Sequence, residues 1–469
     1  MRLAWFTPLP PTKSGIAQYN WELLPPLARF HQVDLFVDGG HPRFSSRDDR
    51  LTIFAAHDFV WKHLRDPYDL VVYQLGNAPC HDYMWSYLTR YPGLVVLHDG
   101  QLHHARGRML LQPWTPKQDE YRREFWFNHP DANPDLAQLG AVGLLGSLTY
   151  LWPMLRIVVD TSRRVLVHNN WLAEQIREAH PDAAVDVVDM GVPEPAPRPG
   201  ARQQIRDGHG IPEEAVVFTA FGKVTPEKRV REAMRALATV TGATRAHLLI
   251  AGEPVDYYDM RAEAEALAIG DRVTFVGYVP DDKIDDYLSA SDVCLCLRWP
   301  TSRETSASWL RCLAAGKPTI STDLVHTVDV PTLDPRDWSV LAGLKAGTTN
   351  EAEERDQVGR FDNSKPVGVS IDILDEDHSL KLAIRRLATD EKLRATLGIN
   401  ARALWMERFR LDRMVAGYQS TITQAIATTA RRSGLAAALP EHLRSTGAEH
   451  AESLVREILG SEYHLRDAD

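Results

Sequence analysis

Short, continuous apolar runs separated by helical stretches fill the first part of the chain. Leu3 to Phe6, Val33 to Val37, Leu51 to Ala55, Leu70 to Leu75, Leu94 to Leu97, Val165 to Val167 and Val185 to Val188 read as strands. Runs that are apolar throughout, rather than at alternate positions, belong to a sheet covered on both faces. With helices in the gaps, the pattern predicts a doubly wound parallel sheet. The stretch Pro193 to Gly200, rich in proline, then reads as an interdomain linker. Beyond it the rhythm restarts, with strands expected at Val216 to Phe221, His247 to Ala251, Val273 to Val276, Val293 to Leu297, Thr319 to Thr322 and Val367 to Ile371. Val230, Ala233, Met234, Leu237 and Ala238 form an apolar stripe at helical spacing, the mark of a core-facing helix.

Two α/β domains follow from this, over 1–195 and 200–400, leaving a central cleft where the ends of the two sheets meet. A helix from Asn400 to Ile426, within a segment 401–430, is expected to return to the first domain. Residues 435–469 read as an appendage to which the sequence assigns no role. Lys345 to Lys365 is polar and reads as a surface insertion. Leu136 to Leu155 carries no charged residue, which approaches the length of a bilayer span. Its polar residues and the glycines at 140, 143 and 146 dilute it, so a buried helix is the expectation. A lipid-facing groove or a membrane-surface contact is the alternative.

Composition narrows the class. A chain of 469 residues is too long for one ordinary core, and 44% hydrophobic with 25% charged residues is the balance of a globular protein. The net charge of −10 argues against a nucleic-acid partner. Cys80, Cys294, Cys296 and Cys312 show no paired spacing, so reduced thiols are expected rather than a disulfide or a metal site. Met1 to Phe6 runs straight into a strand without a signal-peptide pattern, giving a cytoplasmic expectation, with peripheral contact at the inner face of a membrane as its alternative.

The candidate chemistry lies where strands hand over to helices. After Val216 to Phe221 comes Gly222-Lys223-Val224-Thr225-Pro226-Glu227-Lys228-Arg229. Lys223 and Lys228 flank a turn sharpened by Pro226 and could face one diphosphate, beside a helix N-terminus with its partial positive charge. After Val293 to Leu297 comes Pro300-Thr301-Ser302-Arg303-Glu304-Thr305-Ser306-Ala307-Ser308, running on to Gly316-Lys317-Pro318. Thr305, Ser306 and Ser308 could cap the second helix, and the amides near Thr305 to Ala307 suit phosphate oxygens. Solvated surface lysines and a capped structural helix explain the same letters without a ligand.

Together these segments resemble the donor half of glycosyltransferase family 4, nucleotide-sugar glycosyltransferases of GT-B fold. The resemblance covers about residues 1 to 430 and is strongest from about 215 to 325. It implies two Rossmann-like domains, the first for the acceptor and the second for the donor. It also implies retention of anomeric configuration, no required metal and no cofactor beyond the nucleoside diphosphate sugar itself. Lys223, Lys228 and Glu304 would then act at the departing diphosphate and the transferred sugar. Gly222, Thr305, Ser306 and Ala307 would line the donor site, with Gly277 and Tyr278 against the base. Ser14 and Gly15 match the loop that approaches the donor phosphates, and His98, with Asp99, matches the His-Asp beside the transferred sugar. Asn77, His81 and Asn169 are further candidates for the sugar or acceptor side. The acceptor class, whether glycan, lipid-linked or small molecule, stays open.

One departure matters. Many members carry two glutamates separated by seven residues, the second five residues before the glycine of Gly-x-Pro. Here those positions are Arg303 and Arg311, with Glu304 one step from the first. Arginine cannot accept a hydrogen bond from a ribose hydroxyl. The missing pair supports a catalytically degenerate binding or scaffold protein as an alternative to a transferase; a GT-B nucleotide-sugar epimerase, an enzyme on the same architecture, is the other.

Overall fold

The computed structural model describes residues 1–38, 50–114, 116–241, 245–255, 258–323, 330–341, 364–429, 438–444 and 447–459. The chain divides into two compact units. The first contains Met1–Asp189, Ser302–Thr305 and Asp412–Asp469, and the second Met190–Thr301 and Ser306–Leu411.

In the first unit, β1 (Arg2–Phe6), β2 (Gln32–Val37), β3 (Leu51–Ala55), β4 (Leu70–Leu75), β5 (Leu94–Leu97), β6 (Arg164–Val167) and β7 (Val185–Val187) form one sheet in the order β3-β2-β1-β4-β5-β6-β7. Every pairing is parallel. The core holds the strand side chains Phe6, Phe36, Tyr73 and Leu97 against Phe59, Trp85 and Ile176 from helices.

In the second unit, β8 (Val216–Phe221), β9 (Ala246–Ala251), β10 (Val273–Phe275), β11 (Val293–Cys296), β12 (Thr319–Thr322), β13 (Thr332–Leu333), β14 (Val340–Leu341) and β15 (Gly368–Ile371) follow the order β10-β9-β8-β11-β12-β15-β13-β14. All pair in parallel except β13 with β14. The expected apolar stripe lies on the helix Val230–Ala238, where Val230, Ala233, Met234 and Leu237 are buried.

Several expectations are corrected. The proline-rich stretch is not a free linker. Ala196 and Arg198 donate backbone N–H groups to Asp285 and Asp286 at 2.8 Å, and the Arg198 side chain adds an ion pair to Asp286, fastening it to the second unit. The buried helix expected over Leu136 to Leu155 stops early. A helix spans Pro134–Ala141, and left-handed backbone at Gly143 (φ 75°) and Gly146 (φ 51°) ends its regular path before a 3-10 segment, Gly146–Leu151. Its Leu139, Val142, Leu144, Leu148 and Leu151 are exposed.

The helix expected from Asn400 to Ile426 is two helices, Glu391–Arg408 and Leu411–Ala427. Between them Arg410 bridges to Val192. The tail is packed rather than merely appended: Leu439 and Leu443 enter the core of the first unit. Glu452, on the helix Ala448–Leu459, accepts from Arg90 at 2.7 and 3.0 Å and from the Tyr91 hydroxyl at 2.7 Å. The expected insertion Lys345 to Lys365 lies outside the described residues, apart from its last two. Among the described residues no helix is long and apolar enough to cross a membrane. The four cysteines are free thiols.

Candidate active site

In an open parallel sheet the strand order reverses at one point, and the loops leaving the carboxyl ends of the two strands there diverge to leave a crevice for a ligand. The second unit reverses between β8 and β11, and the first between β1 and β4. The two segments singled out in the second half of the sequence leave β8 and β11. Ser14-Gly15 and Asn77-His81 leave β1 and β4.

At the β8 exit, Gly222 takes φ 84°, a conformation glycine adopts without strain. Val224 pairs with Pro254, and a Cβ on Gly252 would lie 1.9 Å from the Gly222 carbonyl, so the exits of β8 and β9 are packed backbone to backbone. On this rigid base Lys223 is exposed. Lys228, half-buried at the end of a single 3-10 turn, folds its ammonium back to donate to the Phe221 carbonyl at 3.0 Å. The two lysines are thus presented differently, one outward and one at the strand end. Arg229, at φ 54°, forks onto Glu376 and pairs with Glu232 at 3.1 Å, so this third cation supports the turn. The helix Val230–Ala238 that follows has no side-chain cap from Arg229, and the Arg231 amide in its first turn donates to the Tyr258 hydroxyl at 3.3 Å.

The β11 exit is tied to the same turn, because the Trp299 amide donates to the Glu227 carbonyl at 2.9 Å. Ser306 caps the helix Ala307–Ala314, its hydroxyl accepting from the Trp309 amide at 3.3 Å, and Gly316 at φ 64° ends it. Thr305 was a candidate cap, but it belongs to the first unit, where its hydroxyl donates to the His168 carbonyl at 3.3 Å. Asn169 reaches it too, its side-chain amide lying 3.3 Å from the Thr305 hydroxyl and 3.4 Å from the Arg303 carbonyl. Glu304 sits half-buried between these two anchored residues. Arg311 lies in the last turn of the capped helix, with its positive charge near Asp281. Gly277 takes φ 81° and Tyr278 is half-exposed, at the exit of β10 on the same sheet edge.

In the first unit, Ser14 caps the helix Gly15–Ala28 by accepting from the Ile16 amide at 3.2 Å. A Cβ on Gly15 would meet nothing within 4 Å, so packing within the protein does not demand this glycine. Gly76 closes the gap between three strand exits: a Cβ there would be 2.6 Å from Ile16, 3.1 Å from the Asp99 carboxylate and 3.4 Å from His81 Nε2. Asp99 accepts from the Asn77 amide at 2.7 Å, and Asn77 in turn accepts from the Ala105 amide at 3.2 Å. His81 donates from Nδ1 to the Gln74 carbonyl at 2.9 Å, which fixes its tautomer and turns the Nε2 lone pair the other way. Burial lowers its pKa to about 4, so the ring is neutral at physiological pH.

His98 is nearly sealed. Its Nε2 is 2.7 Å from Gln74 Oε1, its ring stands edge-on to Tyr19 at 4.7 Å, and His168 lies 5.2 Å away. Burial, with the neighbouring histidines, holds its pKa well below the ordinary value, and the imidazole is neutral. The cluster is completed by Tyr418, whose hydroxyl is 2.6 Å from that of Tyr19. Sequence reading missed Gln74, Tyr19 and Tyr418. Gln74, a lone polar residue inside an apolar strand, was the available signal; Tyr418 lies on the helix expected to return to the first domain, and it does so, but nothing local marks it as a partner of Tyr19.

The family profile described as "Glycosyl transferases group 1" matches residues 201–330, the segment that contains both second-unit exits. Among curated proteins, the 2-deoxystreptamine glucosyltransferase of Streptomyces kanamyceticus is 31% identical over 139 residues, 29% of this chain and 35% of its own. The D-inositol 3-phosphate glycosyltransferase of Mycobacterium ulcerans is 34% identical over 126 residues, 25% of this chain and 27% of its own. The N-acetyl-alpha-D-glucosaminyl L-malate synthase of Bacillus anthracis is 23% identical over 281 residues, 60% and 64% of the two chains. The match thus spans about a third of the first of these relatives. Two solved structures share the fold at 15% identity. The Anabaena protein HepE in complex with UDP and glucose has a TM-score of 0.59, over 90% of this chain and 100% of that one. Sucrose-phosphate synthase from Thermosynechococcus elongatus has a TM-score of 0.60, over 92% and 100%. Residues 201–330 are similar to the glycosyl transferases group 1 family, and the architecture of the chain is the GT-B fold.

Proposed function

We propose that the protein is a glycosyltransferase that moves a sugar from a nucleoside diphosphate sugar to an acceptor hydroxyl, with retention of configuration and without a required metal. The observation that carries this reading is the placement of two lysines, the exposed Lys223 and Lys228 at the strand end, in the β8 exit loop, on the β8/β11 switch point of the domain that contains the family match. Preorganised cations of this kind stabilise the negative charge that builds on a departing diphosphate. The leaving phosphate oxygen then takes the proton of the attacking hydroxyl on the same face of the sugar. HepE, of the same fold, was solved with UDP-glucose, which supports a nucleotide-sugar donor.

Arg303 and Arg311 favour a second reading, a degenerate transferase that binds without turnover, since neither can grip ribose hydroxyls as acceptors. The test is release of nucleoside diphosphate from UDP-, GDP- and ADP-sugars by the full chain, with and without a panel of acceptors. Turnover of one donor that falls at least a hundredfold in Lys223→Ala/Lys228→Ala supports the transferase. Binding of a nucleotide with no release from any donor supports the degenerate reading.

A further inference from the structure

Ser302–Thr305 lies in the irregular stretch between β11 and the capped helix Ala307–Ala314, and by its contacts it belongs to the first unit. It forms no helix or strand of its own, so its backbone is held by groups from elsewhere. The Gly100 amide, just beyond β5, donates to the Ser302 carbonyl at 2.7 Å. A Cβ on Gly100 would lie 3.0 Å from the Arg303 Cβ and 2.7 Å from Leu172, so glycine leaves room for this approach. At the exit of β6, the Asn169 side-chain amide donates to the Arg303 carbonyl at 3.4 Å and to the Thr305 hydroxyl at 3.3 Å. That hydroxyl donates in turn to the His168 carbonyl at 3.3 Å. Glu304 is the residue between these two holds, and Arg303 beside it takes a left-handed φ of 64°. Such a backbone persists in a residue with a side chain only where its surroundings over-determine it.

Asn169 does more here than its place in the fold requires. It is the N-cap of the helix Asn170–Ala179, where its Oδ1 accepts from the Leu172 amide at 2.8 Å. Capping asks only for an acceptor, which serine, threonine or aspartate would also supply. Asparagine adds an amide nitrogen with two N–H donors, and here that nitrogen serves the residues on both sides of Glu304. Thr305 shows the same surplus. The cap of the following helix is Ser306, so the Thr305 hydroxyl is left to link Asn169 to His168.

We propose that Asn169 is a positioning residue for transfer: with Thr305 it fixes the backbone on both sides of Glu304 and so sets the direction of that carboxylate. Resting on the transferase reading, the group so aimed is the carboxylate that acts at the transferred sugar, and Asn169 acts only through it. Each hold is long for a hydrogen bond, and one alone is weak. Two of them, spaced across a single residue, define a direction that neither defines alone. A reacting group displaced by about 1 Å loses about a hundredfold in rate.

The test compares Asn169→Ser, which keeps a capping oxygen and removes both donors, with Thr305→Val, which removes the hydroxyl without touching either cap. Thr305→Ser is the conservative control. Turnover of UDP-, GDP- and ADP-sugars, hydrogen exchange of the Ser302–Thr305 amides, thermal melting and UDP titration are measured on the full chain. Asn169→Ser and Thr305→Val should each lower kcat about ten- to a hundredfold and speed exchange in the tetrapeptide. Donor KM, melting and UDP binding should stay as in wild type, and Thr305→Ser should keep wild-type turnover. In a Glu304→Gln background neither variant should lower kcat further, because a positioning residue has no effect once the group it positions is gone. If Asn169→Ser melts lower, Thr305→Val decides. Full kcat in both variants, or an undiminished further loss in the Glu304→Gln background, overturns the proposal and leaves Asn169 a helix cap, while the wild type's own turnover keeps the transferase reading standing. UDP binding without turnover of any donor by the wild type removes the positioning role together with that reading.

Discussion

Lys228 and Arg206 show how differently two buried-side cations are used in the second unit. Lys228 donates to a strand-end carbonyl and stays half-buried at the sheet edge. Arg206 is 1% exposed and spends its donors on the Ala290, Glu213 and Ala215 carbonyls and on Asp292 at 2.6 Å. Asp292 also accepts from Arg202 and from the Val217 amide. Burial alone would raise the Asp292 pKa, but the Val217 amide and the two guanidiniums outweigh it and hold it below the ordinary carboxylate value. A carboxylate with a depressed folded pKa stabilises the fold above its unfolded pKa and loses that contribution as pH falls through the folded value. Asp292→Asn should therefore cost about 3–5 kcal/mol near pH 7, the cost of leaving a buried guanidinium unpaired. In urea denaturation the gap to wild type should narrow below about pH 4; a gap constant with pH would contradict this assignment. Sequence reading could rank Lys223 and Lys228 as ligand candidates because turn, glycine and helix start are local. It could not see that Arg206 is structural, since its partners lie across the fold.

Among the elements, the long parallel strands were legible almost to the residue, because a strand covered on both faces is apolar without interruption. β13 and β14, two residues each, carry no such signal. The path after Ala141 was misread because composition does not reveal which glycines take positive φ. Glycines give two opposite predictions. At Gly252 an added methyl collides with the Gly222 carbonyl, so Gly252→Ala should displace the β8 exit, lower stability by about 1–3 kcal/mol and weaken nucleoside diphosphate binding. At Gly15 the space is open. Gly15→Ala should leave thermal stability unchanged or raised by up to about 1 kcal/mol while lowering transfer, if this loop approaches the substrate as the resemblance implies. Thermal melts paired with turnover separate the two cases; full activity in Gly15→Ala would leave the β1 loop without a substrate role.

Over the whole molecule, the chain returns to its first unit late. Tyr418 closes the His98 cluster, Leu439 and Leu443 enter the core, and His442 bonds to Glu124 at 2.7 Å beside the buried Arg106 pair. Such contacts, hundreds of residues apart, leave no periodic trace, which is why the tail looked like an appendage. Truncation after Thr429 should destabilise the first unit by several kcal/mol, since each buried leucine contributes about 1.5–3 kcal/mol. Chemical denaturation followed by intrinsic fluorescence would show an unchanged midpoint if the tail were dispensable. We propose that the second unit holds a nucleoside diphosphate at the β8 exit. Calorimetric titration of UDP, GDP and ADP against wild type and Lys228→Ala tests it most directly. One nucleotide should bind the wild type and lose at least tenfold in affinity in the variant; no binding of any of the three at millimolar concentration, or equal binding to both proteins, would contradict the account.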